Sequence, residues 1–258
     1  MTQPQPILQL EECTIRFGGL TAVSKLSFSI GSRELVGLIG PNGAGKTTVF
    51  NFVTGVYQPC EGRVTSMGIP LHRKKPHQIT RMGIARTFQN IRLFPSLSVF
   101  DNVRAAFQRR LKGGLLRTLW RGKSFHEEEA KVAAEVMDLL NIFGLEQVAH
   151  QPSKSLPYGA QRRLEIVRAL ATKPRLLLLD EPAAGMNPTE KTELIKLIRF
   201  IEDRFELSVL LVEHDMKVVM GICERILVLD HGVLIAEGKP ETIKCDPKVV
   251  EAYLGHKC

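Results

Sequence analysis

Apolar residues alternate with polar ones over residues 7–17 and again over 26–35, a period of two that predicts two half-buried strands pairing antiparallel. The compact run 34–39 (ELVGLI) predicts a buried strand, and 47–53 (TTVFNFV) the start of a helix. Residues 55–68 are rich in turn formers, with a short strand near 63–66. From about 86 to 171 the period becomes helical. Ala130, Ala133, Val136, Met137 and Leu140 recur at spacings of three and four over 127–140, where Glu127 to Glu129 suit the positive end of a helix, and 161–170 continues the pattern. Two unbroken apolar runs, 176–179 and 209–212, predict strands buried on both faces of a parallel sheet, joined by a crossover helix over 189–205. Strands at 225–229 and 233–237 flank Asp230-His231-Gly232, a tight-turn sequence. The expectation is an α/β fold without internal repeats.

Chemistry enters between the buried strand and the helix after it. Gly40-Pro41-Asn42-Gly43-Ala44-Gly45-Lys46-Thr47-Thr48 fits G-x-x-x-x-G-K-[ST]. Glycines there let successive backbone N–H groups face one concavity, and the helix adds its positive end. Lys46 supplies a point charge for the β/γ-phosphates of ATP or GTP, and the Thr47 hydroxyl a ligand for Mg²⁺. The run 176–179 delivers Asp180 and Glu181 to a strand's C-terminal end, where open α/β sheets bind ligands. Adjacent residues on a strand point apart, so Asp180 is expected to hold Mg²⁺ through its water shell. Glu181 is expected to orient and deprotonate the water attacking the γ-phosphate.

Composition narrows the class. With 44% hydrophobic and 24% charged residues the chain reads as globular, and its apolar runs are far shorter than the roughly 18–20 residues needed to cross a bilayer. Residues 1–6 lack the basic start and apolar stretch of an export signal, which places the chain in the cytoplasm as an expectation. Cys13, Cys60, Cys223, Cys245 and Cys258 are odd in number and form no C-x-x-C, so plain thiols are expected. The net charge of +8 concentrates in 103–125, which has no acidic residue and carries Arg104, Arg109, Arg110, Lys112, Arg117, Arg121 and Lys123 around Leu115, Leu116, Leu119 and Trp120. That segment reads as a solvated connection between helices, or as a surface facing anionic headgroups or a membrane-embedded partner. It lacks the aromatic interleaving that stacks bases, and no nucleic-acid partner is expected.

The order of elements then produces a likeness: the phosphate loop, Gln89, Leu156-Pro157-Tyr158-Gly159-Ala160-Gln161-Arg162-Arg163, LLLLDE and His214. Over about 7–255 the chain resembles an ABC-type ATPase, the nucleotide-binding subunit of an ATP-binding cassette transporter. The segments ARTFQNIRLFPSLSVFDNV (85–103), RRLEIVRAL (162–170), DEPAAGMNP (180–188), VEHDMKVVMGICERILVLDHG (212–232) and AYLG (252–255) resemble the ATP-binding subunits of branched-chain amino acid importers. The resemblance implies a P-loop ATPase with a RecA-like core, an antiparallel β subdomain and an inserted helical subdomain at about 90–165. These form one domain over 7–255, with tails at 1–6 and 256–258. It implies that Phe17 stacks on adenine, a core phenylalanine being the alternative, that Gln89 reaches Mg²⁺ or the attacking water, and that His214 contacts the γ-phosphate. Residues 185–187 take the place where subunits touch.

The signature segment departs from the family's L-S-G-G-Q: Pro157, Tyr158 and Ala160 replace serine, glycine and glutamine, while Leu156 and Gly159 remain. A serine hydroxyl for the opposite subunit's nucleotide is missing, but the N–H groups of Tyr158 and Gly159 and the helix's positive end can still face phosphate. Implied partners are a second ABC ATPase subunit, two membrane permease subunits and, indirectly, a periplasmic solute-binding protein. The implied place is peripheral, on the cytoplasmic face of the inner or plasma membrane. Related engines that move urea, amides or lipopolysaccharide share these residues. A soluble ABC ATPase acting on DNA or ribosomes fits less well, because the chain has one cassette and no sustained heptads.

Overall fold

The computed structural model of the protein describes residues 5–107 and 123–254, so most of the basic 103–125 segment, and Cys258, lie outside the described residues. Among the described residues there are ten strands: β1 (Leu8–Phe17), β2 (Leu20–Ile30), β3 (Leu35–Ile39), β4 (Glu61–Ser66), β5 (Ile69–Pro70), β6 (Ile84–Arg86), β7 (Leu176–Asp180), β8 (Ser208–Val212), β9 (Arg225–Asp230) and β10 (Val233–Gly238). The described helices are α1 (Lys46–Val53), α2 (Pro76–Arg81), α3 (Val99–Phe107), α4 (Lys123–Ile142), α5 (Tyr158–Leu170), α6 (Pro188–Phe205), α7 (Met216–Ile222), α8 (Pro240–Lys244) and α9 (Pro247–Leu254). The chain divides into two compact units, Met1–Gln89 with Arg175–Cys258, and Asn90–Pro174.

Two sheets build the first unit: an antiparallel one in the order β2-β1-β4-β5, and one of six strands in the order β10-β9-β3-β8-β7-β6. In the larger sheet β9, β3, β8, β7 and β6 run parallel, with β10 antiparallel on β9. Every residue of β3, β7 and β8 is buried, which is why those segments read as unbroken apolar runs. In β2 burial alternates, as in a strand with one face on the core. Phe50, Val49 and Val53 of α1 join Leu8, Leu10 and Ile15 of β1 and Leu38, Leu178, Leu210 and Leu227 of the parallel sheet in one apolar cluster. This packing fixes α1 against both sheets, and with it the loop that enters α1.

The α/β expectation holds, with corrections at element boundaries. The strand expected at 26–35 is instead β2, which ends at Ile30, and β3, which starts at Leu35. Between them Gly31 N–H donates to Glu34 Oε2 (2.7 Å) and Arg33 takes φ 55°, a turn that interrupts the alternation. The helical stretch expected from about 86 is preceded by β6, an edge strand of three residues paired to β7 through Ile84 and Leu176. Three residues cannot display a period. Helix α4 begins at Lys123, so its first turn carries no acidic residue and Glu127 to Glu129 fall a turn later than expected. Helix α5 starts at Tyr158, three residues before the expected start.

In the second unit α3 packs on α4 and α5. Its entrance is pinned by the fully buried Asn102, whose amide donates to Phe94 O (3.0 Å) and Ser98 O (3.0 Å) while its Oδ1 accepts from Phe94 N–H (2.9 Å). No helix among the described residues is long and apolar enough to cross a membrane.

Candidate nucleotide site

Because β3, β6, β7 and β8 are parallel, their C-terminal ends open on one edge of the sheet. Residues 40–45 leave from β3, Gln89 follows β6, Asp180 ends β7 with Glu181 after it, and His214 follows β8. Gly40 takes φ 149°, and a Cβ there would stand 2.0 Å from Leu229 O, so only glycine lets the loop run against β9. The far side of the loop is braced by the β9–β10 turn, whose His231 and Gly232 both have positive φ. Gly232 N–H donates to Ala44 O (3.0 Å), and a Cβ on Gly232 would lie 2.6 Å from Ala22 O.

Lys46, the first residue of α1, is buried, and its ammonium donates to Gly40 O (2.6 Å) and Pro41 O (2.9 Å). Burial pulls the pKa of this ammonium down, and the charges of Glu181 and Asp180 push it back up. Asn42, Gly43, Ala44, Gly45, Lys46, Thr47 and Thr48 wall a cleft of about 450 Å³, completed by Phe17, Leu20, Thr21, Ala22, Glu181 and His231. Its volume lies within the roughly 300–1,000 Å³ usual for small-molecule sites. Phe17 is 44% exposed and meets the Tyr57 ring edge-on at 5.1 Å, so it is no core residue, and it lines the cleft. The loop's N–H groups, a cation and an aromatic face together fit a phosphate-bearing nucleotide.

Asp180 ends β7 and Glu181 follows it outside the strand, and the two carboxylates have different hydrogen-bond partners. Asp180 Oδ2 accepts from Arg86 Nη2 (2.7 Å) in a pair whose side chains are 5% and 8% exposed, and Arg86 Nη1 donates to Asn51 Oδ1 (2.7 Å) of α1. The Arg86 guanidinium lies against the Phe50 and Phe88 rings at 5.3 and 5.0 Å. Sequence reasoning missed Arg86 and Asn51, because nothing local distinguishes either. Glu181 takes φ 46°, a left-handed backbone costing about 1–2 kcal/mol, held by its N–H to Val212 O (2.8 Å). Its carboxylate accepts from Gln89 Nε2 (2.8 Å) and lies 3.8 Å from His214 Nδ1. Gln89, Glu181 and His214 thus meet, and Glu181 reaches the cleft wall.

In the second unit Pro157 caps α5 with φ −56° and ψ 152°, leaving Tyr158 and Gly159 in the first helical turn. Tyr158 is 44% exposed, and its hydroxyl accepts from Arg162 Nε (3.1 Å) and Nη2 (3.0 Å). Among the described residues no cluster of three or more His, Cys, Asp or Glu could hold a metal ion by itself. Thr47 and Asp180 bring oxygen donors of the kind Mg²⁺ takes, and with nucleotide phosphates they would not need such a cluster.

A phosphate loop on a central parallel strand, an acidic pair ending β7, and a helical unit inserted between β6 and β7 define an ABC-type P-loop ATPase. Residues 23–184 match the family described as ABC transporter, and residues 233–257 match the one described as branched-chain amino acid ATP-binding cassette transporter. The high-affinity branched-chain amino acid transport ATP-binding protein LivG of Salmonella typhimurium is 45% identical, over 97% of this chain and 98% of that protein. The corresponding protein BraF of Pseudomonas aeruginosa is 43% identical over the same shares. Among solved structures, the ADP conformation of an ATP-binding cassette of an ABC transporter superposes with TM-score 0.84 at 29% identity, covering 97% of this chain and 99% of that one. A nucleotide-free cassette gives 0.83 at 29% identity, covering 97% and 100%. The chain belongs to the ABC transporter family as an ATP-binding, ATP-hydrolysing subunit.

Proposed function

We propose that the chain energises uptake of branched-chain amino acids, one ABC ATPase domain over 7–255 acting beside membrane permeases. The observation that carries the solute class is the 45% identity to a branched-chain amino acid transport ATPase across 97% of the chain, with the last matched segment at 233–257. In this reading ATP lies in the cleft with its adenine on Phe17. The N–H groups of residues 40–48 and the Lys46 ammonium hold the phosphates, Glu181 takes the proton of the attacking water, Gln89 orients it, and His214 faces the γ-phosphate. Mg²⁺, when bound, neutralises phosphate charge, and Thr47 and Asp180 are the residues that would hold it.

A second ATPase subunit completes the site, its nucleotide facing Tyr158 and Gly159 of this chain. A solute-binding protein delivers the amino acid, and the ATPase sits on the cytoplasmic face of the membrane. Reconstitution with its permeases into vesicles tests this: ATP-dependent uptake of leucine, isoleucine or valine is expected, and uptake of urea or an amide instead would overturn the solute assignment.

Pro157 carries its own prediction. With proline as the cap, no side-chain hydroxyl stands at the entrance to α5. Pro157→Ser adds one and is expected to raise the ATPase rate of the assembled transporter by roughly tenfold to a hundredfold, the worth of one hydrogen bond to a charged group at about 1.5–3 kcal/mol. An unchanged rate would show that the N–H groups of Tyr158 and Gly159 suffice.

A further inference from the structure

Glu213 falls within the segment 212–232 but carries none of the roles assigned above, yet its side chain is 0% exposed. It stands between the segment that follows Glu181 and the loop that carries His214. Oε1 accepts from Ala183 N–H (2.7 Å), Oε2 from His214 N–H (3.2 Å), and the backbone N–H of Asp215 is a third donor. Burial pushes this carboxyl's pKa up, and the N–H groups of Ala183, Asp215 and His214 pull it back. A leucine of similar size would orphan these buried donors, and a glutamine would turn an NH₂ toward one of them. Only a carboxylate serves both loops at once.

Alongside this contact runs a second tie, from Glu181 N–H to Val212 O (2.8 Å). The segments 181–183 and 212–215 are therefore laced at two rungs, one of backbone and one through Glu213. Ala183 also opens the turn closed by Met186 N–H to Ala183 O (3.2 Å), so it belongs to the same rigid piece as residues 185–187.

We infer that Glu213 is a positioning residue that locks the His214 loop to the segment after Glu181, setting the 3.8 Å separation of His214 Nδ1 from Glu181 Oε2. The inference rests on the roles proposed above for Glu181 and His214. A displacement of residues 183–187 by a neighbouring subunit is carried through Glu213 to His214, so subunit contact and histidine placement are one mechanical event.

The test is Glu213→Gln in the full chain assembled with its transporter partners. The variant is isosteric and keeps one acceptor oxygen. Its kcat is expected to fall about tenfold with KM within about twofold, and amide hydrogen exchange is expected to speed up at Ala183 and His214 together while β7 and β8 stay protected. In the unmodified protein, adding nucleotide should change protection at those two amides by the same factor. Full kcat in Glu213→Gln, loss of protection throughout the sheet, or independent responses of the two amides would each overturn the inference. Glu181→Gln, measured alongside, separates the failures: if it hydrolyses ATP normally the site assignment itself falls, whereas a silent Glu213→Gln beside an inactive Glu181→Gln removes the positioning role alone.

Discussion

Replacing Lys46 by methionine is expected to abolish useful nucleotide affinity while the fold survives. Methionine keeps the apolar stem packed at the start of α1 and removes only the ammonium. That ammonium donates to Gly40 O and Pro41 O, and among the described residues lining the cleft there is no other lysine or arginine. Truncating one partner of a buried charged pair costs about 2–5 kcal/mol, roughly thirty-fold to several-thousand-fold in Kd. Calorimetric titration with ATP checks it, with a thermal melt as the control for folding. The two loop carbonyls exchange one protein donor for water, so the melting temperature should move by only a few degrees. Affinity within threefold of the unmodified protein would mean that backbone N–H groups alone hold the phosphates.

How much of this could be read from the sequence depends on whether the partners are neighbours in the chain. The phosphate loop is a local device, nine consecutive residues between a strand and a helix, and its chemistry is legible wherever it occurs. The same holds for Asp180 and Glu181 at the end of four leucines, because full burial on both faces leaves an unmistakable apolar run. The Arg86 pair is different. Its partners Asn51 and Asp180 lie 35 and 94 positions away, and only the register of β6 on β7 brings them together. A lone arginine carries no signal, and the three-residue strand that places it is too short to show a period.

Gln89 and His214 were legible only through the family resemblance. Their meeting at Glu181 arises from the parallel ends of β6, β7 and β8, a tertiary property. Glu213 stayed hidden for a related reason: a charged residue directly after an apolar run reads as the start of a surface loop, whereas here three backbone donors hold it in the interior. The left-handed backbone at Glu181 is equally invisible, since nothing in the sequence marks a glutamate for positive φ.

That strained backbone makes Glu181→Gln the sharpest probe of the chemistry. Glutamine keeps the β-carbon and chain length, so the strain at φ 46° and the bond from its N–H to Val212 O are unchanged. Its carbonyl oxygen can still accept from Gln89 Nε2, as Glu181 Oε2 does at 2.8 Å. Only the proton acceptor and one negative charge disappear. Loss of a general base lowers the rate by about 10²–10⁴-fold, so turnover in the assembled transporter should fall by that factor. Nucleotide affinity should move the other way. Glu181 acts on Lys46 more strongly than Asp180 does, and removing its negative charge relieves repulsion against the phosphates. The variant is therefore expected to hold ATP and to accumulate as a nucleotide-bridged dimer, visible by size exclusion in the presence of ATP. A Glu181→Gln protein that turns over ATP at the unmodified rate would move the base to another residue. Loss of both turnover and binding would instead place Glu181 in the nucleotide's grip rather than in the chemistry.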